Sequence, residues 1–481
     1  MSGLLLGVDL GTTSLKGLVT ATDGGLRYES SLEIAPLEKS PMELEQDPDS
    51  WWDAFVGVCR ALAEKVDLGA VEAVGLSGQT HGVVLVDAQG RPVRPCLTWA
   101  DKRARAESEY LQGVIGDRVR SIASNELDPT FSLPKLAWLA GHEPMSLSAT
   151  ERLVLPKDYL RGKMTGQWAT DVSDAASTLL FDLHRQEWDH DLAREIGIPT
   201  HIFPDVHQST DVVGSIDSTT ASATGLRQGT PVVAGGSDVA CAALGAGLSD
   251  DGTVYLNVGT AAQILAFSPS PSGGGFYVFQ HVVPDSFIRM TSVFAAGLSR
   301  SWVRDLLSST EQTDRGADAL EDEAQEVAPG AGGVRFLPYL LGRGLPRPDP
   351  SASGALFGLT PASGPAEVYR AVLEGVAFVV RIGVESLGPE PSRFMFGGGA
   401  RRSRLWTEII AAVLESDLDV LDYDASPVGC LTLAGLGTGV FETPDQAWAL
   451  FADSRRRVGP QPGQVSRYRE LYPGFAEVAL S

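Results

Sequence analysis

Lysine, cysteine and long apolar runs are scarce in this chain of 481 residues. No lysine follows Lys163, so the last two-thirds of the chain offers none for a Schiff base or for binding phosphate. The four cysteines, Cys59, Cys96, Cys241 and Cys430, form no CxxC pair, which favours free thiols in a reducing cytosol. No apolar run approaches the roughly 18–20 residues of a membrane span. The seven histidines form no HExxH pattern, so we expect no dedicated zinc site.

Positive charge is also in short supply. The chain has 38 Lys and Arg against 61 Asp and Glu, a formal net charge of -23. Such an acidic body repels nucleic acid and anionic lipid, and no basic patch interrupts it. The first residues lack the basic segment that opens a signal peptide. We therefore expect a cytoplasmic protein that binds neither nucleic acid nor a membrane.

Two common nucleotide-binding motifs are missing as well. Neither GxxxxGK[ST] nor GxGxxG occurs, so a P-loop NTPase or a simple nicotinamide-dependent enzyme lacks its fingerprint. Glycine itself is abundant, with 53 residues that fall mostly in short loops. The glycine turns, rather than a standard motif, are therefore the places to look for phosphate contacts.

A short internal repeat indicates how the chain is organised. Residues 4–12 read LLLGVDLGT and residues 253–260 read TVYLNVGT, two apolar strands that each end in a Gly-Thr turn. Aligned on the turn, the matched pairs are Asp9 and Asn257, Gly11 and Gly259, and Thr12 and Thr260. The repeat predicts two related halves, although two glycine-ended hairpins can also match by chance. Strand-like and helix-like segments alternate in both halves, which predicts an α/β protein with one sheet per lobe.

The first turn, VDLGTTSLK at residues 8–16, places Asp9 at a strand end before a glycine turn with hydroxyls. Backbone N–H groups and threonine hydroxyls in such a turn can hold phosphate oxygens without a cationic side chain. Asp9 can then hold Mg²⁺, since magnesium is bound by few carboxylates together with phosphate oxygens. The alternative is an ordinary hairpin in which Asp9 hydrogen-bonds to its own turn.

A second carboxylate follows the glycine pair in VVAGGSDVACAALGAG, residues 232–247. Asp238 lies at the predicted start of a helix of small residues, which lets a substrate approach closely. This position suits a general base that accepts a proton from a hydroxyl during phosphoryl transfer. The segment taken alone favours a structural helix N-cap instead, because aspartate is common there.

Two further strand ends carry polar or glycine-rich turns. The run Gly397-Gly398-Gly399-Ala400 can let a flat ring or a ribose lie against the backbone, or it can be a flexible loop. The segment GLSGQTHG, residues 75–82, offers Gln79, Thr80 and His81, and a lone histidine there can equally be structural. The combination of two phosphate-type turns, a carboxylate and a glycine platform favours a phosphoryl-transfer site.

These blocks together resemble the FGGY carbohydrate kinases of the sugar kinase/heat-shock chaperone/actin superfamily. The resemblance runs from about Leu4 to about Phe441, in the order DLGTTSLK, GGSDVACAALGAG, NVGTA and FGGGARRSRLW. The blocks EQDPDSWW, GLSGQTHGVVLVDAQGRPVRPCLTWADKR and LPKDYLRGKMTGQWATDVSDAAST are most similar to members that phosphorylate D-xylulose.

The resemblance implies two actin-like (ribonuclease H-like) lobes with a cleft between them. Residues 1–246 would form the sugar-binding lobe and residues 247–481 the nucleotide-binding lobe. The implied reaction is ATP- and Mg²⁺-dependent phosphorylation of a small sugar, with D-xylulose the leading acceptor. Another ketose or a polyol is the nearer alternative, and an ATPase of the chaperone or filament type is the more distant one. A homodimer is also plausible by resemblance.

The resemblance also assigns roles to residues. Asp238 would be the catalytic base, and Asp9 would be essential near the metal and phosphates. The nucleotide contacts would be Gly11, Thr12, Thr13, Gly259, Thr260, Gly398, Gly399, Ala400 and Ser403. The sugar contacts would be Gln79, Thr80, His81, Trp99, Asp101 and Asp238. Thr80, Ala100 and Val239 depart from the residues usual in that family, which leaves the acceptor open.

Overall fold

The computed structural model describes residues 3–40, 42–308, 317–388 and 390–481. Its first sheet has the order β5-β6-β4-β1-β2-β3, with β7 paired to β4. The strands β1, β2 and β3 are antiparallel neighbours, whereas β4 runs parallel to β1, β6 and β7. The bounds are β1 (Leu4–Leu10), β2 (Ser14–Ala21), β3 (Arg27–Glu33), β4 (Val71–Gly78), β5 (Val212–Ser215), β6 (Pro231–Val233) and β7 (Gly236–Ser237).

The second sheet repeats this arrangement, with the order β10-β11-β9-β8-β12-β13-β14. Its hairpin β8–β9 corresponds to β1–β2, and β12 lies parallel to β8 as β4 lies parallel to β1. The two related halves predicted from the short repeat are therefore confirmed. The bounds are β8 (Thr253–Val258), β9 (Ala262–Ser268), β10 (Tyr277–Gln280), β11 (Phe287–Val293), β12 (Arg393–Gly397), β13 (Leu418–Leu421) and β14 (Arg455–Val458).

Both lobes also contain short strands outside the two main sheets. These strands are Leu37–Ser40, Glu43–Gln46, Val84–Val86, Cys96–Leu97, Arg152–Val154, Ala169–Asp171, Phe181–Asp182, Glu187–Trp188, Asp205–His207, Arg335–Leu337 and Ala355–Phe357.

Helices cover the sheets and complete the α/β architecture. In the first half they are α1 (Pro48–Ala63), α2 (Arg105–Ala123), α3 (Ser132–His142), α4 (Pro144–Ser148), α5 (Pro156–Thr165), α6 (Val172–Ala176), α7 (His190–Glu195), α8 (Ser218–Thr224) and α9 (Asp238–Ala246). In the second half they are α10 (Gly297–Ser308), α11 (Ala317–Glu326), α12 (Pro365–Ser386), α13 (Arg404–Leu414), α14 (Ala425–Gly437), α15 (Pro444–Ala449) and α16 (Pro462–Leu480).

The outer face of each sheet packs on helices from its own half. In the first lobe, β1 and β4 share a buried core with α1 and α5. In the second lobe, β8 and β12 share one with α12, α13 and α16. Within the described ranges, no helix combines the length and the apolar character needed to cross a membrane. The four cysteines are all buried with free thiols, as predicted.

The inner face of the first sheet is covered by α14, which comes from the second half of the chain. Glycines allow this close packing: a Cβ at Gly75 would lie 2.0 Å from the carbonyl oxygen of Cys430. Helix α9 crosses α14 just as closely, since a Cβ at Gly429 would lie 1.9 Å from the carbonyl oxygen of Cys241. These two helices therefore join the lobes behind the ends of the strands.

This crossing predicts that Gly429→Ala destabilises the protein. The added methyl group cannot fit against the backbone of Cys241, so we expect a loss of about 1–3 kcal/mol in the free energy of unfolding. Gly113→Ala in α2 is the matched control, because a Cβ there meets no atom within 4 Å. It should gain about 0.5–1 kcal/mol from helix propensity. Urea unfolding of both variants measures the difference, and equal stabilities would contradict the packing.

Candidate active site

The carboxyl ends of the parallel strands of the first sheet bring two aspartates to one edge. Asp9 lies near the end of β1 and pairs in register with Ser77 near the end of β4. Gly236 of β7 also pairs with Ser77, and Asp238 follows β7 as the first residue of α9. Because parallel strands end at the same edge, two residues 229 positions apart in the chain share one cleft.

The corresponding strand ends of the second sheet form the other side of the cleft. Asn257 and Gly397 pair at the ends of β8 and β12, and Asp424 follows β13. Asp424 reaches across to the first lobe, where its Oδ2 atom lies 2.5 Å from Nζ of Lys16. Lys16 faces Asp9 in the β1–β2 hairpin. The cleft is thus built from the strand ends of both sheets.

Asp9 is held by one hydroxyl group from each half of the chain. Its Oδ1 atom accepts hydrogen bonds from Oγ of Ser77 at 2.7 Å and from Oγ of Ser426 at 2.9 Å. The Oδ2 atom has no hydrogen-bond partner among the described residues. Burial raises the pKa of Asp9, while Ser77, Lys16 and Ser426 act in the opposite direction.

Asp238 is not the N-cap of α9. Ser237 takes that position, and its Oγ atom accepts from the backbone N–H of Ala240 at 3.3 Å. The helix-cap interpretation of Asp238 is therefore wrong, because the preceding serine performs the capping. The Oδ1 atom of Asp238 accepts from the N–H of Val239 at 2.8 Å, and the residue is partly exposed. Loss of hydration in the cleft, together with the charge of Asp9, raises the pKa of Asp238 to about 7.

Polar groups from the end of β4 line the cleft beside Asp238. The Nε2 atom of Gln79 donates to Oε1 of Gln46 at 2.7 Å, and its own Oε1 is buried with no partner among the described residues. Thr80 is buried, and its backbone N–H stabilises the ionised form of Asp238. The end of β4 therefore places an unsatisfied carbonyl oxygen, that of Gln79, one residue from Thr80, which contacts Asp238.

His81 adjoins this acceptor group in a left-handed conformation with φ 63°. Its Nδ1 atom lies 2.8 Å from the carbonyl oxygen of Ser177. A carbonyl only accepts, so Nδ1 carries the proton and Nε2 is an acceptor in the neutral ring. Burial, with the nearby Lys135, lowers the pKa of His81 to about 3, which keeps the ring neutral. Burial also lowers the pKa of Lys135 to about 7.

Trp99 and Asp101 lie in the next loop but differ in surroundings. Trp99 is 40% exposed and donates from Nε1 to Oγ1 of Thr12 at 2.8 Å, which connects the expected sugar and phosphate contacts. Asp101 is fully buried, and its carboxylate accepts from the N–H of Leu44 at 2.9 Å and from the guanidinium of Arg103 at 2.8 Å. Asp101 therefore holds the loop, and its sugar contact stays a prediction.

Both hairpin turns carry an exposed threonine at the strand ends that border the cleft. In the first turn the N–H of Gly11 donates to the carbonyl of Ser14 at 3.0 Å, and Thr13 is exposed. In the second turn the N–H of Gly259 donates to the carbonyl of Ala261 at 2.8 Å, and Thr260 is exposed. The predicted phosphate contacts are thus placed in equivalent turns at the two strand edges.

The glycine run after β12 forms an open platform. Gly398 has φ 79°, and a Cβ there would lie 2.5 Å from the backbone of Val258, so only glycine fits. A Cβ at Gly399 would meet nothing within 4 Å, which leaves room for a flat ring. Ala400 is buried.

Ser403, the last of the predicted nucleotide contacts, caps helix α13. Its Oγ atom accepts from the N–H of Trp406 at 3.1 Å and donates to Oε1 of Glu321 at 2.5 Å. Its hydroxyl is therefore used within the protein, and its nucleotide contact stays a prediction.

The residues present fit a magnesium nucleotide better than a resident metal. Among the described residues, no group of three His, Cys, Asp or Glu side chains could hold a metal ion. Asp9 instead offers one carboxylate oxygen beside the phosphate-type turns. This donor set suits Mg²⁺, which completes its shell with phosphate oxygens and water.

The family comparisons agree with this architecture. The model of the FGGY family of carbohydrate kinases matches residues 4–245 with its N-terminal domain and residues 254–437 with its C-terminal domain. The chain therefore belongs to the FGGY family of carbohydrate kinases. It is an enzyme that phosphorylates a sugar with ATP, and its two lobes have the actin-like fold predicted from the sequence.

Individual relatives differ in their named substrates. The chain is 31% identical to the xylulose kinase of Bacillus subtilis (strain 168), over 98% of this chain and 96% of that one. It is 25% identical to the gluconokinase of the same organism, over 100% of this chain and 96% of that one. The crystal structure of a xylulose kinase from Rhodospirillum rubrum aligns with a TM-score of 0.88 at 29% identity, over 99% of this chain and 98% of that one.

Four side chains of the cleft were missed by the sequence analysis. They are Lys16, Ser77, Asp424 and Ser426. Lys16 belongs to the quoted block DLGTTSLK, and its alternation with Asp9 across a hairpin could have indicated it. Asp424 and Ser426 follow no recognisable motif, because their role depends on where α14 meets the first sheet.

The raised pKa of Asp238 leads to a prediction that can be tested without an activity assay. In protein labelled with ¹³C at the aspartate carboxyl groups, the Asp238 resonance should titrate near pH 7 rather than near 4. Asp9→Asn removes the neighbouring negative charge, so the Asp238 titration should move to lower pH. The Asp238→Asn spectrum assigns the resonance. A midpoint near 4 in the wild-type protein would contradict the described environment.

Proposed function

We propose that the protein phosphorylates D-xylulose at its terminal hydroxyl to give D-xylulose 5-phosphate, with Asp238 as the general base. The observation that carries this proposal is the position of Asp238. Its carboxylate lies partly exposed in the cleft, opposite Asp9, with a pKa raised to about 7. A base with that pKa is matched to neutral pH, where it can both lose and accept a proton.

The proton and phosphoryl transfers follow from this arrangement. Asp238 accepts the proton of the sugar hydroxyl as that oxygen bonds to the γ-phosphorus of ATP. The bond between the γ-phosphorus and the bridging oxygen breaks, and ADP leaves with the electron pair. The exposed Thr13 and Thr260 of the two hairpin turns would contact the phosphates, and Lys16 would offset their charge. Asp9 would hold Mg²⁺, which supplies further electrostatic stabilisation when bound.

The polar groups beside Asp238 support an uncharged acceptor. Gln79 Oε1 and His81 Nε2 are acceptors suited to sugar hydroxyls. The cations near this site are hydrogen-bonded within the protein. Lys135 donates to the carbonyl of His81 at 3.2 Å, and Lys102 donates to Oγ1 of Thr130 at 2.5 Å. Arg103 is paired with Asp101 at 2.8 Å. This supports a neutral ketose over an aldonate, whose carboxylate needs a cationic partner. Similarity to the named xylulose kinases supports the same choice.

A panel of acceptors tests the substrate. ADP release should depend on the added sugar, with the highest kcat/KM for D-xylulose and lower values for D-ribulose, glycerol and erythritol. Gluconate should be the poorest acceptor, because the two lysines near His81 in the described part of the chain are hydrogen-bonded within the protein. A higher kcat/KM for gluconate would overturn the assignment of a neutral acceptor. ADP release that is equally fast without any sugar would instead favour a nucleotide-driven switch.

Asp238→Asn tests the catalytic base. The amide cannot accept the hydroxyl proton, so kcat should fall by about 10²–10⁴-fold, the usual contribution of a general base, with the KM for ATP nearly unchanged. In the wild-type enzyme kcat/KM should fall as the pH drops through about 7, because a protonated Asp238 is inactive. Unchanged kcat in the variant, or a wild-type profile flat down to pH 5, would reject the assignment.

A further inference from the structure

A fully buried group of charged side chains lies behind the turn that carries Asp238. Lys157 contacts three carboxylates, with Nζ at 2.7 Å from Asp158, 2.8 Å from Asp171 and 2.9 Å from Asp174. Arg161 adds a second cation, 3.0 Å from Asp158. None of the five side chains is more than 1% exposed, and none can reach a substrate. Burying this much charge is costly unless every charged group is paired and hydrogen-bonded.

Asp171 is the carboxylate of this group that points to the turn. Burial raises the pKa of Asp174, despite its contact with Lys157. Asp171 accepts from several donors: Nζ of Lys157 lies 2.8 Å from its Oδ1 atom, and its Oδ2 atom accepts from the backbone N–H of Ser173 at 2.9 Å. A carboxylate surrounded by donors in this way acts as an acceptor toward the next hydroxyl.

Asp171 sets the direction of the hydroxyl of Ser173. The Oγ atom of Ser173 lies 2.6 Å from Oδ2 of Asp171 and must donate its single proton there. Its lone pairs then accept the backbone N–H of Ser237 at 2.9 Å. Ser237 directly precedes Asp238 and caps α9. A chain of contacts therefore runs from Lys157 through Asp171 and Ser173 to the residue before the proposed base.

The rest of the turn is held by the same group. Nη1 of Arg161 donates to the carbonyl of Ala234 at 2.6 Å. The N–H of Gly235, which has φ 77°, donates to the backbone carbonyl of Ser209 at 3.0 Å. The side chain of Ser209 donates separately to Oδ2 of Asp171 at 2.8 Å.

We infer that Asp171 and Ser173 are positioning residues that fix the carboxylate of Asp238 against the sugar hydroxyl. This rests on the proposed function, because it assumes that Asp238 is the base. The effect is indirect: the Ser173 hydroxyl anchors the first turn of α9, and the anchored turn orients Asp238. Since general-base catalysis depends on near-attack geometry, a small displacement lowers kcat more than it lowers binding.

Ser173→Ala and Ser209→Ala form a matched pair for the test. Each removes one hydroxyl that donates to the same oxygen of Asp171 in the same buried environment. The Ser173 hydroxyl also accepts from Ser237, whereas the Ser209 hydroxyl makes no side-chain contact with the turn in the described structure. A purely structural role predicts similar consequences for both variants.

We expect Ser173→Ala to lower kcat about 10-fold or more, up to the roughly 10²-fold cost of a misplaced group, with an unchanged KM for ATP. Ser209→Ala should lower thermal stability by a similar amount but change kcat less than about two-fold. Ser173→Thr retains the hydroxyl and should restore kcat toward the wild-type value. Equal losses of kcat in Ser173→Ala and Ser209→Ala, or no loss in Ser173→Ala, would overturn the inference.

A double-mutant cycle separates this inference from the proposed function. If Ser173 acts through Asp238, then adding Ser173→Ala to Asp238→Asn should cause no further loss of residual kcat. A full additional loss would mean that Ser173 acts by another route. If Asp238→Asn itself retains wild-type kcat, the assignment of the base fails, whatever Ser173→Ala does.

Discussion

The pair of hydrogen bonds from Ser77 and Ser426 to one oxygen of Asp9 is the contact on which the cleft depends. Ser77 is the penultimate residue of a strand of the first sheet, and Ser426 is the second residue of a helix that belongs to the second half of the chain. The two hydroxyls also lie 2.8 Å apart, so all three side chains form one closed cluster. The strand edges of both lobes are thereby fixed relative to a single carboxylate. A site divided between two sheets needs such a junction, since neither sheet alone holds both its sugar-side and its nucleotide-side groups.

Glycines at the crossing of α9 and α14 allow the two halves of the chain to pack this closely. The same crossing is a contact that could not be predicted from the sequence. The duplicated Gly-Thr turns were visible in the sequence because strand, turn and hydroxyl occur together in a short segment. The crossing of α9 and α14 was not visible in the sequence. Nothing in the local sequence distinguishes Gly245 and Gly429 from other helix residues, and only the packed structure shows that each lies against the backbone of the other helix. Asp424 and Ser426 were missed for the same reason. Local pattern predicts local structure, whereas these contacts exist only after distant segments pack together.

The exact start of a helix is also difficult to predict from the sequence, as α9 shows. Aspartate at the start of α9 was a good N-cap by residue preference, yet the preceding Ser237 occupies that position. The displacement by one residue has a chemical consequence. A capping aspartate would accept from the N–H groups two or three residues further along the helix. Asp238, as the first helical residue, accepts instead from the adjacent N–H of Val239 and lies partly exposed in the cleft. Family resemblance indicated the role of Asp238, but only the packed turn shows how its carboxylate stays available.

Two carboxylates in one cleft can have different roles because their surroundings differ. Burial raises the pKa of both Asp9 and Asp238, and the charge of Asp9 raises the pKa of Asp238 further. At Asp9 this is opposed by hydroxyl donors and by Lys16, which favour the ionised state that a metal ligand requires. At Asp238 the effect of burial is opposed by backbone N–H groups, those of Thr80 and Val239 among them, and the pKa of Asp238 is raised to about 7. The donors around Asp9 thus favour the charged form that its proposed metal contact needs, and the pKa of Asp238 suits its proposed role as a base.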